Sequence, residues 1–86
     1  MYTVYVLYSL RFQKIYIGYT SNLEERLKSH NELGKKGWTI KYRPWEVLYT
    51  EHFELKQDAM KREQELKTAA GQGFIWNIVR SRYAVK

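Results

Sequence analysis

The absence of cysteine constrains this chain more than any other feature, because the sequence has only 86 residues. A chain this short buries only about 60–65% of its unfolded surface, and many small domains depend on disulfides or metals for stability. Here disulfides, thiolate nucleophiles and cysteine-ligated zinc are excluded, and two histidines are too few for an all-histidine metal cage. We therefore expect a single domain over residues 1–86 with a core of large side chains.

The aromatic content supplies such a core. Three tryptophans, eight tyrosines and three phenylalanines make up 16% of the chain, whereas disordered chains are poor in aromatic residues. No apolar run approaches the length of a membrane-spanning helix, and the first ten residues lack the charged start and small-residue cleavage site of a signal peptide. We expect a cytoplasmic protein without membrane contact.

Two segments near the N-terminus have the composition of β-strands. Residues 2–8 and 14–20 are rich in valine, isoleucine and tyrosine, and the five residues between them predict a hairpin. Alternation would place Val4, Val6 and Tyr8 on one face and Thr3, Tyr5 and Leu7 on the other. Gly18 interrupts the second strand, which indicates a bulge or a close approach by backbone or ligand.

A helix is predicted after the hairpin. Ser21 to Glu24 fits a capping box, with Ser21 as the cap and Glu24 reaching back to it. Leu23 and Leu27 would form the buried face, and Gly34 would end the helix. The segment from 34 to 44 is expected to be a basic loop.

The remaining chain predicts a third strand and two helices. Residues 45–53 read as the strand, with Val47 and Tyr49 on one side, and residues 54–70 read as the longest helix. Two glycines after residue 70 would end that helix, followed by a short helix over 74–79 and a basic tail. The order ββαβαα predicts an α+β fold with a small, three-stranded, largely antiparallel sheet flanked by helices.

The charge distribution favours nucleic acid as a partner. The net charge is +6, and phosphate contacts supply most non-specific nucleic-acid affinity. Mild basicity serving solubility alone is the alternative. Two segments, 33–45 and 66–86, carry basic residues together with tryptophan and tyrosine but contain no acid. From these segments the candidate nucleic-acid contacts are Lys35, Lys36, Lys41, Arg43, Arg80 and Arg82.

Glu63 is the carboxylate that stands out on the long helix. At 100° per residue it falls about 40° from the centre of an apolar stripe that includes Leu55, Ala59 and Leu66. A carboxylate at the margin of a buried face is costly unless it is paired or binds a cation. An ion pair with Arg26, Arg62 or Lys67 is the structural alternative to a functional role.

Arg26 and His30 lie four residues apart and would share one helix face near the sheet. Such a pair could hold a phosphate and supply an acid, base or hydrogen-bond donor. The alternative is an arginine covering the core and a histidine stabilised by the helix C-terminus. Tyr5 and Tyr16 could likewise bring two phenols together across the hairpin, although cross-strand packing explains an arbitrary tyrosine pair.

Taken together, these residues resemble the GIY-YIG endonuclease superfamily. Tyr16-Ile17-Gly18 is an intact YIG signature, Val4-Tyr5-Val6 is a degenerate GIY, and Arg26 and Glu63 follow in order. Nearly the whole chain is similar to the small, stand-alone bacterial members (the URI and YhbQ-like groups) and to the N-terminal nuclease domain of the bacterial excision-repair protein UvrC.

The resemblance implies metal-dependent cleavage of a DNA phosphodiester, with a role in DNA repair or recombination and with RNA left open as a substrate. Glu63 would hold a single Mg²⁺ or Mn²⁺ ion, and Arg26 would stabilise charge on the phosphate. Tyr5 and Tyr16 would position and deprotonate water, and which of them is the base stays open. His30 would have a supporting catalytic role.

The resemblance also implies further contacts and contains two departures. Gly18 would let DNA or bound water approach the backbone, and Asn77 is a candidate for a late family asparagine that contacts nucleic acid. The residues around Asn77 match the family poorly. Some members have a lysine directly after YIG, where this chain has Tyr19, so that Lys14 or Lys28 would have to substitute for it.

Three functions are therefore compared. The leading one is a DNA endonuclease or nickase that needs a protein partner, or the shape of the DNA, for specificity. The second is a non-catalytic nucleic-acid-binding module with the same fold. The third, a protein-interaction domain with an aromatic interface, leaves the Tyr–Arg–Glu constellation unexplained.

Overall fold

A three-stranded antiparallel sheet forms the centre of the fold. In the computed structural model, which describes residues 1–33 and 38–83, its strands are β1 (Tyr2–Ser9), β2 (Lys14–Thr20) and β3 (Glu46–Phe53). The order across the sheet is β2-β1-β3, so that β1 is central and β2 is an edge strand. The predicted α+β class and the N-terminal hairpin are confirmed.

Helical segments surround the sheet in the described part of the chain. They are α1 (Leu23–Lys28), a π-helical turn (Ser29–Leu33), α2 (Trp38–Lys41), α3 (Lys56–Leu66) and α4 (Ala69–Arg82). None of the helices within these ranges is long and apolar enough to cross a membrane.

Alternation along β1 gives the sheet two different faces. The face of Val4, Val6 and Tyr8, which we call the core face, packs against buried residues of α3 and α4. These are Ala59, Leu66, Ile75 and Val79. The face of Tyr5 and Leu7, which we call the site face, packs against Trp45 and is covered by the half-buried leucines of α1. The predicted division of β1 residues between two faces is confirmed.

A β-bulge alters the predicted alternation of the third strand. Val6 pairs with Tyr49 but Leu7 pairs with Val47, so that Leu48 is an extra residue on β3. Leu48 and Tyr49 both contact the core-face cluster, whereas Val47 packs on the site face. The prediction that Val47 and Tyr49 share one side is therefore wrong.

The first helix begins one residue later than its predicted cap. Asn22, not Ser21, is the N-cap, because its side-chain oxygen accepts a hydrogen bond of 3.1 Å from the backbone N–H of Glu25. Ser21 is therefore not the capping residue. The segment that was expected to be a loop contains the short helix α2 in its described part.

The predicted long helix ends earlier than expected, and the short helix predicted after it begins earlier and is longer. α3 ends at Leu66, and Thr68 caps α4 by accepting a hydrogen bond of 3.2 Å from the backbone N–H of Gly71. Gly71 and Gly73 lie inside α4 and do not end a helix. A Cβ on Gly71 would lie 2.3 Å from the carbonyl oxygen of Glu65, so the close approach of the two helices requires glycine there.

Candidate active site

A pocket of about 400 Å³ lies where β2 ends and α1 begins. Its lining residues are Tyr2, Tyr5, Tyr16, Gly18, Tyr19, Thr20, Ser21, Arg26, Lys56 and Glu63. Tyr5 and Tyr16 reach it from the site face, whereas Glu63 belongs to α3, which covers the core face. The pocket therefore lies at the sheet edge where the two layers meet, and it contains four of the five residues predicted to be catalytic.

The two tyrosines meet across the hairpin because Gly18 leaves room for one of them. Tyr5 pairs with Gly18, and Tyr16 pairs with the neighbouring Leu7, which makes the two tyrosines diagonal neighbours. Their ring centroids are 6.2 Å apart. A Cβ on Gly18 would lie 2.7 Å from the Tyr5 hydroxyl oxygen. The close approach expected at Gly18 is thus made by the Tyr5 phenol, and contact of Gly18 with nucleic acid stays a prediction.

Tyr5 is almost fully buried and forms a hydrogen bond with His30. The hydroxyl oxygen lies 3.1 Å from Nε2 of His30. Burial raises the pKa of the Tyr5 phenol well above its usual value; Tyr16 and Glu63 raise it further, and Arg26 opposes them. Tyr5 is accordingly a neutral phenol at physiological pH.

His30 supports this arrangement from the π-helical turn. It is buried, and its ring centroid lies 4.7 Å from that of Tyr16. Burial, followed by the charges of Arg26 and Arg43, lowers the pKa of His30. The histidine packs behind the two phenols and does not line the pocket.

Arg26 and Glu63 face the pocket from opposite layers. Arg26 projects from α1, and in the described part of the chain no hydrogen bond or ion pair holds its guanidinium. The Glu63 side chain is 19% exposed, and its Oε2 lies 3.4 Å from Nζ of Lys67. The ion pair considered for Glu63 is therefore present with Lys67. Arg62 instead binds Glu51 on β3 at 3.0 Å.

Comparison with known protein families identifies the family of this chain. Residues 1–75 match the family described as the GIY-YIG catalytic domain. The chain belongs to the GIY-YIG family. Membership places it among nuclease domains in general, as the signature around Tyr16 and Gly18 predicted.

Three relatives of this GIY-YIG chain have similar length. It is 46% identical over 65 residues to a UPF0213 protein of Oceanobacillus iheyensis, covering 74% of this chain and 73% of the relative. It is 41% identical over 58 residues to a UPF0213 protein of Staphylococcus haemolyticus, covering 67% and 71%. A UPF0213 protein of Natronomonas pharaonis is 40% identical over 65 residues, covering 76% and 75%.

Of the basic residues predicted to contact nucleic acid, those that the structure describes do not line this pocket. Lys41 lies on α2, whereas Arg80 and Arg82, expected in a tail, lie on α4 with the exposed Asn77. The Asn77 side-chain oxygen accepts a hydrogen bond from Arg80. Lys35 and Lys36 lie outside the described residues.

Arg43 has a structural contact that its position in a basic segment did not indicate. Its guanidinium donates to the backbone carbonyl oxygens of His30 and Ser29, in the latter case at 3.2 Å. Arg43 therefore satisfies carbonyl groups of the π-helical turn that holds His30. Its contact with nucleic acid stays a prediction.

Lys56 is the charged pocket residue that the sequence did not predict. It is the first residue of α3 and contributes a second cation to a pocket that already contains Arg26. Lys14 and Lys28, proposed as replacements for a lysine after YIG, do not line the pocket, whereas Tyr19 does. The turn that brings the start of α3 beside β2 depends on long-range packing, so no local pattern around Lys56 indicated its position.

Proposed function

We propose that this GIY-YIG chain hydrolyses phosphodiester bonds in DNA at the pocket, with a divalent cation as cofactor. The observation that carries the proposal is the convergence of Tyr5, Tyr16, Arg26 and Glu63 on one open pocket at the sheet edge. These side chains supply a carboxylate, a guanidinium and two phenols, which are the groups needed to hold a cation, a phosphate and a water molecule.

Glu63 fits the role of the cation ligand. Mg²⁺ keeps several of its waters and takes one or two carboxylates, and Glu63 is the single carboxylate of the lining. Within residues 1–33 and 38–83 there is no cluster of three or more acidic or histidine ligands, so Glu63 would bind the ion alone. Its partner Lys67 is 52% exposed and can move away. A bound Mg²⁺ or Mn²⁺ ion would polarise the scissile phosphate and stabilise the leaving oxygen.

Arg26 would bind the phosphate itself. Its guanidinium lines the pocket from the side opposite α3, and no described side chain neutralises it. A guanidinium can donate two parallel hydrogen bonds to phosphate oxygens and stabilise the negative charge that develops on them.

The surroundings of the two phenols favour Tyr16 as the group that orients and deprotonates water. Tyr5 is held protonated by burial and is bonded to His30, which suits a positioning role. Tyr16 is half-buried and lines the pocket. Tyr16 and Arg26 line the same pocket, so Tyr16 would act on water beside a phosphate held by Arg26.

A plasmid-nicking assay with Mg²⁺ and Mn²⁺ tests the proposal. We expect Glu63→Gln and Arg26→Gln each to lower the nicking rate by about 100-fold or more, because each removes a charge that stabilises the transition state. The matched controls are Glu65→Gln and Lys28→Gln, which remove the same charges from neighbouring positions outside the pocket. Both controls should nick like the unchanged chain.

The same assay decides between the enzyme and the binding module. DNA binding without metal-dependent nicking by the unchanged chain would contradict the enzyme and favour the module. Nicking that survives Glu63→Gln at full rate would show that Glu63 does not hold the essential cation.

A further inference from the structure

A second cluster of aromatic and basic side chains lies at the tip of the hairpin, away from the pocket. Phe12 and Tyr42 pack edge to face, with ring centroids 5.5 Å apart. The Arg11 guanidinium carbon lies 5.4 Å from the centre of the Phe12 ring. Nζ of Lys14 and Nζ of Lys41 lie 5.5 Å and 5.9 Å from the centre of the Tyr42 ring. We call these five residues the tip cluster.

The tip cluster is positive, and one of its two aromatic rings is exposed. Residues 10–20 and 38–45, which supply it, contain no aspartate or glutamate. Phe12 is 40% exposed although it is a large apolar side chain. An aromatic ring left open among cations combines a stacking surface with phosphate-binding charge, which is how proteins bind single-stranded nucleic acid without sequence preference.

The tip cluster is continuous with the pocket along the edge strand. Every second residue of β2 points to the same face, and Lys14 therefore shares a face with Tyr16 and Gly18. The last two of these line the pocket. Four residues of strand span about 13 Å. Phosphates of one strand are about 3.4 Å apart along a B-form axis, so this span corresponds to about four nucleotides or fewer in an extended strand.

We propose that the tip cluster is a binding subsite for an unpaired stretch of the nucleic acid whose scissile phosphate lies in the pocket. Phe12 would stack on an unpaired base, while Arg11 and Lys14 would contact phosphates. The ligand must be unpaired because the base faces inside a duplex are already stacked on one another. This proposal rests on the proposed function in one respect: it takes the bound strand to be the one whose scissile phosphate lies in the pocket.

Binding of a short single-stranded oligothymidylate, measured by fluorescence anisotropy in EDTA, tests the proposal. We expect Phe12→Ala to weaken binding about tenfold, with no comparable change for a blunt duplex. Phe12→Trp should keep the affinity because it keeps a stacking surface. Leu10→Ala, which removes an exposed apolar side chain from the same hairpin, is the matched control and should bind normally.

The salt dependence of binding tests the charges. Loss of two phosphate contacts in Arg11→Gln/Lys14→Gln should make the slope of log affinity against log salt shallower by about 1.4. Lys28→Gln/Lys61→Gln has the same net charge and should change the slope less. An equal change in both double variants, or a Phe12→Ala affinity within twofold of the unchanged chain, would overturn the subsite.

EDTA separates this test from that of the proposed function. If the chain nicks DNA but Phe12→Ala does not weaken binding, the proposed activity stands and the subsite is overturned. A chain that binds through Phe12 without nicking supports the subsite and contradicts the activity.

Discussion

The two faces of the sheet share strand β1 but differ in chemical character. On the core face, Val4, Val6 and Tyr8 pack among apolar side chains of α3 and α4. On the site face, Tyr5 packs with His30 and Tyr16, and each of these three residues carries a polar atom. The comparison indicates that stability and chemistry are divided between alternate residues of one strand, so that variants on the two faces should fail in different assays.

The core face should show the largest loss of stability. Ile75 is fully buried between α4 and the sheet, and Ile75→Ala should lower the free energy of unfolding by about 2–5 kcal/mol. Its neighbour Phe74 is 42% exposed, and Phe74→Ala should cost much less. Denaturant unfolding measures both. The nicking rate per folded molecule should be unchanged in Ile75→Ala. A loss of that rate would contradict the division of stability and chemistry between the two faces.

Replacing each of the two glycines of α4 by alanine should change the stability of the fold in opposite directions. Gly71→Ala would force a methyl group against the backbone of Glu65 and should cost about 1–3 kcal/mol, as overpacking does. Gly73 has open space around it, and Gly73→Ala should gain about 0.5–1 kcal/mol because alanine favours helix. Thermal unfolding of the pair checks this. Equal effects would show that the contact between α3 and α4 does not fix their separation.

The site face should add a pH dependence to stability. Because the folded-state pKa of His30 lies below its usual 6.5, the unfolded chain binds the proton more readily. The contribution of His30 to stability is therefore full above about pH 6.5 and is lost as the pH falls toward the lower folded-state pKa. When the free energy of unfolding is measured against pH, the loss of stability below about pH 6.5 should disappear in His30→Gln and remain in His52→Gln. A component retained in His30→Gln would assign it to another group.

The smallest effect is expected at Ser9, which lies at the end of β1. Its hydroxyl is buried and, within the described residues, has no hydrogen-bond partner. Ser9→Ala should therefore be neutral or raise stability by up to about 1 kcal/mol. Thr68→Ala, which removes a bonded cap, should instead cost about 1 kcal/mol. A clear loss in Ser9→Ala would indicate that the hydroxyl binds an ordered water.

The meeting of Tyr16, Arg26 and Glu63 in one pocket was expected from the family resemblance, whereas local patterns predicted the hairpin and the division of β1 into two faces. They were sufficient because strand alternation and helix periodicity are set by residues close in sequence. The cap at Thr68 was also a local signal, but two glycines after it were read as a helix end. The hydroxyl that satisfies free backbone N–H groups decides where α4 begins.

Other features depend on partners distant in sequence. The bulge at Leu48 exists only through the pairing of β3 with β1. Arg43 binds carbonyl oxygens that are available because the helix before it becomes a π-helical turn. Lys56 reaches the pocket because α3 packs across the sheet. Each requires knowledge of tertiary contacts that no single segment contains.

The central position of β1 also determines which length changes the chain can accept. One inserted or deleted residue within β1 would exchange every side chain beyond it between the two sides of the sheet. Tyr5 would then point toward α3 and α4, and a valine would occupy the place beside Gly18. Insertions and deletions should therefore be tolerated in the turn at 10–13, where they do not change which side chains face each side of the sheet. Within β1, relatives should differ by substitution alone.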